Sequence, residues 1–151
     1  MTKLKKKRFK QFSESSSSTF SDIDINSPYF KKKFRFLNRK ENNNFFVEKD
    51  IDLIPLADYL INVKIDKIDI LKIDTEGYEF EILKGLKDRI KMVDIIFFEH
   101  HYDDMIKKSY TFTDINHYLK KNNFKKIFRS KMPFRKTFEY IYRNKDNILK
   151  N

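Results

Sequence analysis

Carboxylates and histidines follow two apolar segments of this sequence, and these residue types can carry acid–base or metal chemistry. They are Asp74 and Glu76 after the first segment, and Glu99, His100 and His101 after the second. Carboxylates can bind a hard cation or accept a proton, and histidine is the usual proton carrier near neutral pH. The structural alternative is that Asp74 is only a helix N-cap, and that the histidines lie in a loop with satisfied hydrogen bonds.

Two strands and one helix are predicted to position these residues. The apolar runs Ile68–Ile73 and Val93–Phe98 have the length and composition of strands that are buried on both faces of a parallel sheet. Between them, apolar residues follow one helical stripe, with glutamates at its start and basic residues at its end. The stripe consists of Tyr78, Ile82, Leu83, Leu86 and Ile90. Asp74 or Thr75 is the expected N-cap.

The succession of strand, helix and strand predicts where the candidate residues lie. It implies parallel pairing with a right-handed crossover, so the carboxyl ends of the two strands are neighbours. Ligands of open α/β sheets bind beyond these ends. We therefore expect all five candidate residues to converge there, as an acid–base site or as a site for a divalent cation.

The segments on either side of this unit carry their own local signals. Before it we predict a basic tail at Met1–Phe12, a serine-rich loop at Ser13–Thr19, an edge strand or hinge at Tyr29–Leu37, a polar loop at Arg39–Asn44, a strand at Phe45–Ile54 and a helix at Leu56–Leu60. After it we predict a helix at Asp114–Lys121 capped by Thr111 or Thr113, a strand at Phe124–Arg129, a turn at Lys131–Lys136, a strand at Thr137–Tyr142 and a polar tail at Arg143–Asn151.

The central segment LKIDTEG-x-E-x-x-x-LKGL resembles the signature of the FkbM-family methyltransferases, which depend on S-adenosylmethionine. The matching positions are Leu71, Lys72, Ile73, Asp74, Glu76, Gly77, Glu79, Leu83, Lys84 and Gly85. The apolar strand that ends at Glu99 follows at the expected distance. The resemblance extends from about Ser15 to Tyr142.

This resemblance implies a fold and an activity. The implied fold is α/β, an incomplete Rossmann-like methyltransferase fold with a mostly parallel sheet and a C-terminal antiparallel hairpin. The implied reaction is methyl transfer from S-adenosylmethionine to a hydroxyl group of a sugar or secondary metabolite, so the partner is a small-molecule or glycan acceptor. For this reaction Asp74 is the first candidate for contact with the reacting centre, Glu76 and Glu99 are the next catalytic candidates, and His100 is a candidate base.

Glycine usage departs from the family pattern. The chain has two glycines, Gly77 and Gly85, and the glycine-rich turn that would bring backbone close to the cofactor is missing. We therefore assign no cofactor-binding residue, and expect the chain to begin in the middle of the usual domain. The expected organisation is a flexible basic tail at 1–14, the C-terminal part of the methyltransferase domain at 15–143 and a polar tail at 144–151. Self-association or a completing chain is then expected.

Composition limits the other classes of function. The chain has no cysteine, so it has neither disulfides nor thiolate metal sites, and a reducing cytoplasm is expected. No apolar run is long enough to span a membrane. The net charge is +11, but the lysines are scattered and no nucleic-acid motif is present, so we expect no nucleic-acid partner. The alternative function is an inactive remnant or a basic module that contacts nucleic acid or another chain.

Overall fold

The computed structural model describes residues 5–13, 17–37 and 45–148. The strands in these ranges are β1 (Lys5–Phe12), β2 (Asp22–Ile23), β3 (Phe46–Leu53), β4 (Ile68–Ile73), β5 (Val93–His101), β6 (Ile106–Lys107), β7 (Phe124–Lys131) and β8 (Thr137–Asn144). The helices are α1 (Pro28–Leu37), α2 (Leu56–Asn62), α3 (Glu79–Gly85), α4 (Phe112–Lys121) and α5 (Lys145–Ile148), with a 3₁₀ helix at Lys87–Met92. Across these ranges, no helix has the length and apolar content that crossing a membrane requires.

A four-stranded sheet in the order β4–β5–β8–β7 is the centre of the molecule. β4 and β5 pair in parallel, as the strand–helix–strand succession predicts, and the C-terminal hairpin β7–β8 is antiparallel, also as predicted. The prediction of a mostly parallel sheet is wrong. β8 inserts between β5 and β7 and is antiparallel to both, so one of the three pairings in this sheet is parallel. The α/β class is confirmed, whereas the Rossmann-like fold stays a prediction.

β4 is an edge strand of this sheet and one of its faces is exposed, so the prediction that it is buried on both faces is also wrong. Ile70 points away from the core and its exposed fraction is 64%. On the other face, Ile73 is 2% exposed and contributes to the core. An apolar run alone cannot distinguish a central strand from an edge strand, because that difference depends on the neighbouring strands. Self-association through this edge stays a prediction.

One face of the sheet is covered by α2, α3, the 3₁₀ helix and α4. Leu83, Leu86 and Ile90 of the predicted stripe are fully buried there, and each contributes about 1.5–3 kcal/mol through removal of its side chain from water. Thr111 caps α4: its side chain accepts from the Asp114 N–H, while the Asp114 carboxylate accepts from the Thr111 N–H. The predicted strands at 45–54, 124–129 and 137–142 and the predicted helices at 56–60 and 114–121 are confirmed.

The N-terminal residues form a second layer, which the sequence predictions missed. Lys5–Phe12 is a strand that pairs antiparallel with β3 along its whole length, so the predicted basic tail is wrong over these residues. At the other end of the chain, Arg143 and Asn144 of the predicted polar tail belong to β8, and Lys145–Ile148 forms α5. The predicted loop at Arg39–Asn44 lies outside the described residues.

The segment Tyr29–Leu37 belongs to a helix, α1, rather than to the predicted edge strand. Ser27 Oγ accepts a hydrogen bond from the Phe30 N–H (3.1 Å), as an N-cap residue does, and Pro28 occupies the first helical position. Phe30 and Phe34 are one helical turn apart and stack at 4.4 Å between ring centroids. Both rings are buried against Phe12 of β1.

Candidate active site

The candidate site is built on the turn that leaves β4. Glu76 and Gly77 both have positive φ angles, +48° and +95°, and this bend directs the Glu76 side chain inward, where the residue is 7% exposed. Two hydroxyl groups from the second layer hold the turn: Thr19 Oγ1 donates to the Glu76 carbonyl (2.6 Å), and Ser21 Oγ donates to the Gly77 carbonyl (2.9 Å). The N-terminal layer therefore fixes the position of a predicted site residue.

Glu79 stabilises the same turn from inside α3. Its Oε1 accepts a hydrogen bond from the Gly77 N–H (2.8 Å), and its Oε2 accepts one from the Tyr110 hydroxyl (2.6 Å). The expected N-cap role of Asp74 or Thr75 is wrong, because α3 begins after Tyr78 and has no side-chain cap. Glu79 is fully buried and binds backbone and tyrosine, so it is a structural residue.

His101 lies between two carboxylates below this turn. Its Nε2 is 3.5 Å from Glu76 Oε2, and its Nδ1 is 3.3 Å from Asp103 Oδ2 and 3.1 Å from Thr137 Oγ1. Burial alone would lower the pKa of His101, but the contact with Asp103 and the charge of Glu76 outweigh it and hold the pKa above its usual value. The two acidic side chains therefore favour the charged form of the imidazole over its neutral form.

The two carboxylates of this group respond differently to their surroundings. Burial would raise the pKa of Asp103, but the contact and positive charge of His101 lower it below its usual range. Burial raises the pKa of Glu76, and the positive charges of His101 and Lys33 offset part of that rise. Asp103 also accepts a hydrogen bond from the Met105 N–H (3.0 Å), which fixes its orientation after β5.

Asp74 and Glu99 complete the cluster at the carboxyl ends of β4 and β5. Asp74 is exposed, and its Oδ2 is 3.5 Å from Nζ of Lys72. Glu99 is 7% exposed, and its pKa is raised first by burial and then by the negative charge of Asp74. One carboxylate thus faces solvent, while its neighbour holds a proton more readily than an exposed glutamate does.

His100 lies apart from this cluster. Side chains of a strand alternate between its faces, so Glu99 and His101 share one face while His100 points to the other. There its ring packs against Tyr102, Tyr110 and Phe112, with centroid distances of 4.8–6.0 Å. Burial lowers the pKa of His100 to about 3, so it is neutral near pH 7. The expectation that all five residues converge is therefore wrong for His100.

The alternation of side chains between the two faces of β5 could be read from the sequence, and it distinguishes His100 from His101. Asp103 had no such signal, because it reaches His101 only after the chain turns out of β5. Among the described residues, no three His, Cys, Asp or Glu side chains are placed so that they could hold a metal ion. The roles predicted for Asp74, Glu76 and Glu99 stay predictions.

The two glycines do not form a cradle for S-adenosylmethionine. A Cβ atom at Gly77 would lie 2.4 Å from Cγ2 of Ile106, which is too close. Gly77 therefore lacks a side chain because Ile106 packs against it, and not because a cofactor does. A Cβ atom at Gly85 would lie 3.6 Å from the Leu56 backbone nitrogen, which is an ordinary contact. The described residues therefore do not supply the glycine-rich turn that a cofactor of this kind requires.

Comparison with known proteins identifies the family of this chain. Residues 5–126 match the model of the methyltransferase FkbM domain. No curated protein and no solved structure matches the chain. The match spans most of the chain and includes β1, the turn after β4 and the end of β5. The protein therefore belongs to the FkbM methyltransferase family.

Proposed function

We propose that this protein transfers a methyl group from S-adenosylmethionine to a hydroxyl oxygen of a small-molecule or glycan acceptor. Family membership supports the methyltransferase class. The observation that carries the choice of a hydroxyl acceptor is the pairing of exposed Asp74 with buried Glu99, whose pKa is raised. A hydroxyl group needs a proton acceptor during methylation, and a carboxylate with a raised pKa is a better base than an ordinary one.

Each carboxylate has a separate task in this proposal. The donor supplies an electrophilic methyl group. Asp74 lies at the exposed mouth of the site, where it can accept a hydrogen bond from the acceptor hydroxyl and orient it. Glu99 takes the hydroxyl proton as the oxygen becomes nucleophilic. Its partly desolvated position makes its pKa responsive to the charge of Asp74, so the two residues act as a pair.

Glu76, His101 and Asp103 are positioning residues. His101 is buried and both of its ring nitrogens face carboxylates of the protein, so we assign it a positioning role and not the role of the base. The group fixes the end of β5 against the turn after β4, and this contact sets the separation of Asp74 and Glu99. His100 is also unsuited to act as the base, because it faces the aromatic residues on the opposite side of the strand.

The direct test replaces Asp74 by Asn and measures transfer of a labelled methyl group from S-adenosylmethionine to a panel of hydroxyl compounds. Asp74→Asn keeps the shape and removes the charge, so we expect turnover to fall by roughly 10²–10⁴-fold while the free energy of unfolding is unchanged. Asp69→Asn is the matched control, because Asp69 is an exposed carboxylate of β4 that pairs with Lys67 (2.6 Å). Unchanged turnover in Asp74→Asn contradicts the proposal.

Glu99 provides a second test through the pH dependence of turnover. Its pKa in the folded protein is above 4.5, so activity should rise as the pH increases through that raised value and the carboxylate becomes free to accept a proton. Glu99→Gln should abolish this rise and lower the turnover at its plateau. A variant that retains the wild-type pH profile would show that Glu99 does not take the proton.

A further inference from the structure

A groove of about 600 Å³ lies between α1 and the turn that joins β7 to β8. Its lining is dominated by five basic side chains, which are Lys32, Lys33, Lys131, Arg135 and Lys136. Asp104 is the acidic residue among the lining residues. The volume is in the range of pockets that bind small molecules. The charge of the groove therefore favours an anionic ligand of that size.

The basic residues of this groove differ from those of a second groove beside β1. In that second groove three of the six basic side chains already have a carboxylate partner: Arg8 pairs with Glu48 (3.2 Å), Lys10 with Asp22 (2.8 Å) and Lys107 with Asp24 (3.9 Å). None of the five basic side chains between α1 and the β7–β8 turn forms a salt bridge within the described ranges. Their positive charges remain available to a ligand.

Two aromatic residues flank these charges. Tyr29 is on the α1 side, and Phe134 is at the tip of the β7–β8 turn, where it is fully exposed and has a φ of +61°. A non-glycine residue with a positive φ is uncommon, and such residues occur at ligand-binding sites as well as in turns. An exposed aromatic ring beside the groove offers an apolar face to the ring of a ligand.

The groove adjoins the acid–base cluster. The charges of Asp103 and Glu76 both act on Tyr29, and the charge of Lys33 acts on Glu76. Asp104 and Lys136 line the groove, and their chain neighbours Asp103 and Thr137 lie 3.3 Å and 3.1 Å from His101 Nδ1, so the groove is next to the cluster at the ends of β4 and β5. A ligand that is anchored in the groove can extend a hydroxyl group toward Asp74 and Glu99.

We propose that this groove binds the acceptor through an anionic group, so that the acceptor is a sugar or metabolite that carries a phosphate or carboxylate. This inference rests on the methyltransferase function proposed above and specifies its substrate class. Lysine and arginine bind both kinds of anion through charge-assisted hydrogen bonds. Asp104 lies at the same groove and disfavours a second anionic group in its neighbourhood.

Direct titration of the protein without any methyl donor tests the groove. The probes are glucose 6-phosphate, glucuronate and glucose, and calorimetry measures their affinities. We expect at least one of the two anionic sugars to bind more than tenfold tighter than glucose, and the tighter one identifies phosphate or carboxylate as the anchor. Equal affinities for glucose and both anions would overturn the proposal.

A pair of double variants assigns the binding to the groove. Lys32→Gln with Arg135→Gln should weaken the anionic sugar by roughly tenfold or more, because two charge-assisted contacts are lost. Lys120→Gln with Lys125→Gln removes the same charge from exposed positions outside the groove and should change the affinity less than twofold. Equal losses in both double variants would show a general charge effect and overturn the assignment.

Two further results separate this inference from the proposed function and from nucleic-acid binding. Absence of anion binding in a protein that still transfers labelled methyl groups overturns the groove assignment alone. Anion binding that depends on Lys32 and Arg135, without transfer to any hydroxyl acceptor, supports the groove and contradicts the proposed function. A single-stranded oligonucleotide that binds tighter than either sugar, with affinity that rises with length, would assign the charges to nucleic acid instead.

Discussion

The two neighbouring histidines of β5 occupy opposite faces of the strand and opposite electrostatic environments. His101 is held between Glu76 and Asp103, and its pKa is raised. His100 is held among aromatic rings, and its pKa is lowered to about 3. Both are nearly inaccessible to water, with exposed fractions of 5% and 3%. Burial lowers the pKa of both histidines, and at His101 the neighbouring carboxylates outweigh that effect.

The two faces of β5 also have different roles at the carboxyl end of the strand. On the His101 face, β5 contributes to a polar cluster that includes the three carboxylates predicted to be catalytic, Asp74, Glu76 and Glu99. On the His100 face, it contributes to the packing of the sheet against α4, where Phe112 stacks on Tyr140 at 4.2 Å. A single-residue shift along β5 would exchange the two faces, so the register of this strand is decisive for the site.

The largest expected difference in stability is between the variants that replace each histidine by leucine. His101→Leu leaves Glu76 and Asp103 buried without their cation, so we expect the free energy of unfolding to fall by about 3–5 kcal/mol. His100→Leu exchanges one buried neutral side chain for another of similar volume and should cost less than about 1.5 kcal/mol. Denaturant unfolding at pH 7 measures both values.

A third variant checks the cause of the His101 effect. Glu76→Gln added to His101→Leu removes one of the two unpaired charges, so the double variant should be more stable than His101→Leu alone. If the double variant is less stable, packing of the imidazole rather than its charge explains the loss. Equal losses for His100→Leu and His101→Leu would remove the distinction between the two faces.

The pH dependence of stability should have opposite signs for the two histidines. The folded pKa of His100 lies near 3 and its unfolded pKa near 6.5, so wild type should lose stability relative to His100→Leu as the pH falls below 6.5. The slope is at most about 1.4 kcal/mol per pH unit. The folded pKa of His101 is raised, so its advantage over His101→Leu is complete below pH 6.5 and declines as the pH rises through the folded pKa.

Unfolding experiments between pH 4 and pH 9 on the three proteins measure these differences. Comparison with wild type at each pH cancels the contribution of other titrating groups that the variants share. Parallel curves for wild type and His100→Leu below pH 6.5 would show that His100 titrates normally. A stability difference between wild type and His101→Leu that grows above pH 7 would contradict the charged state assigned to His101.

The smallest effects concern the hydroxyl groups on each face. Thr137→Val removes the group 3.1 Å from Nδ1 of His101 in a fully buried position, and we expect a loss of about 1 kcal/mol. Tyr102→Phe removes the hydroxyl bonded to Tyr140 (2.8 Å), but Tyr102 is half-exposed, so water can replace the lost partner. The loss should therefore be smaller for Tyr102→Phe, and the reverse order would contradict the comparison.

Local patterns in the sequence were sufficient for much of the sheet and for most of the site. The apolar runs predicted β4 and β5, their succession with α3 predicted the parallel pair, and the alternating residues of Thr137–Tyr142 predicted β8. Asp74, Glu76, Glu99 and His101 come together as expected because the carboxyl ends of parallel neighbours are adjacent. These features depend on residues that are close in sequence.

Features that depend on distant partners could not be predicted in the same way. β1 is a strand because β3 pairs with it some forty residues later, and its lysines carry no such signal. The alternation of Lys and Phe around Phe30 and Phe34 fits a strand as well as a helix, and the Ser27 cap decides between them. Most strand pairings in the central sheet are antiparallel because β8 inserts between β5 and β7. That position depends on tertiary contacts and not on the local sequence.

The exposed ring of Phe134 gives the protein a natural position for an optical reporter. The chain contains no tryptophan, so Phe134→Trp would introduce a single indole emitter at the rim of the basic groove. Phenylalanine already occupies this positive-φ position without burying its ring, so a larger aromatic residue meets no packed neighbour there. Fluorescence from one site could then follow the arrival of a ligand in real time, without any chemical label.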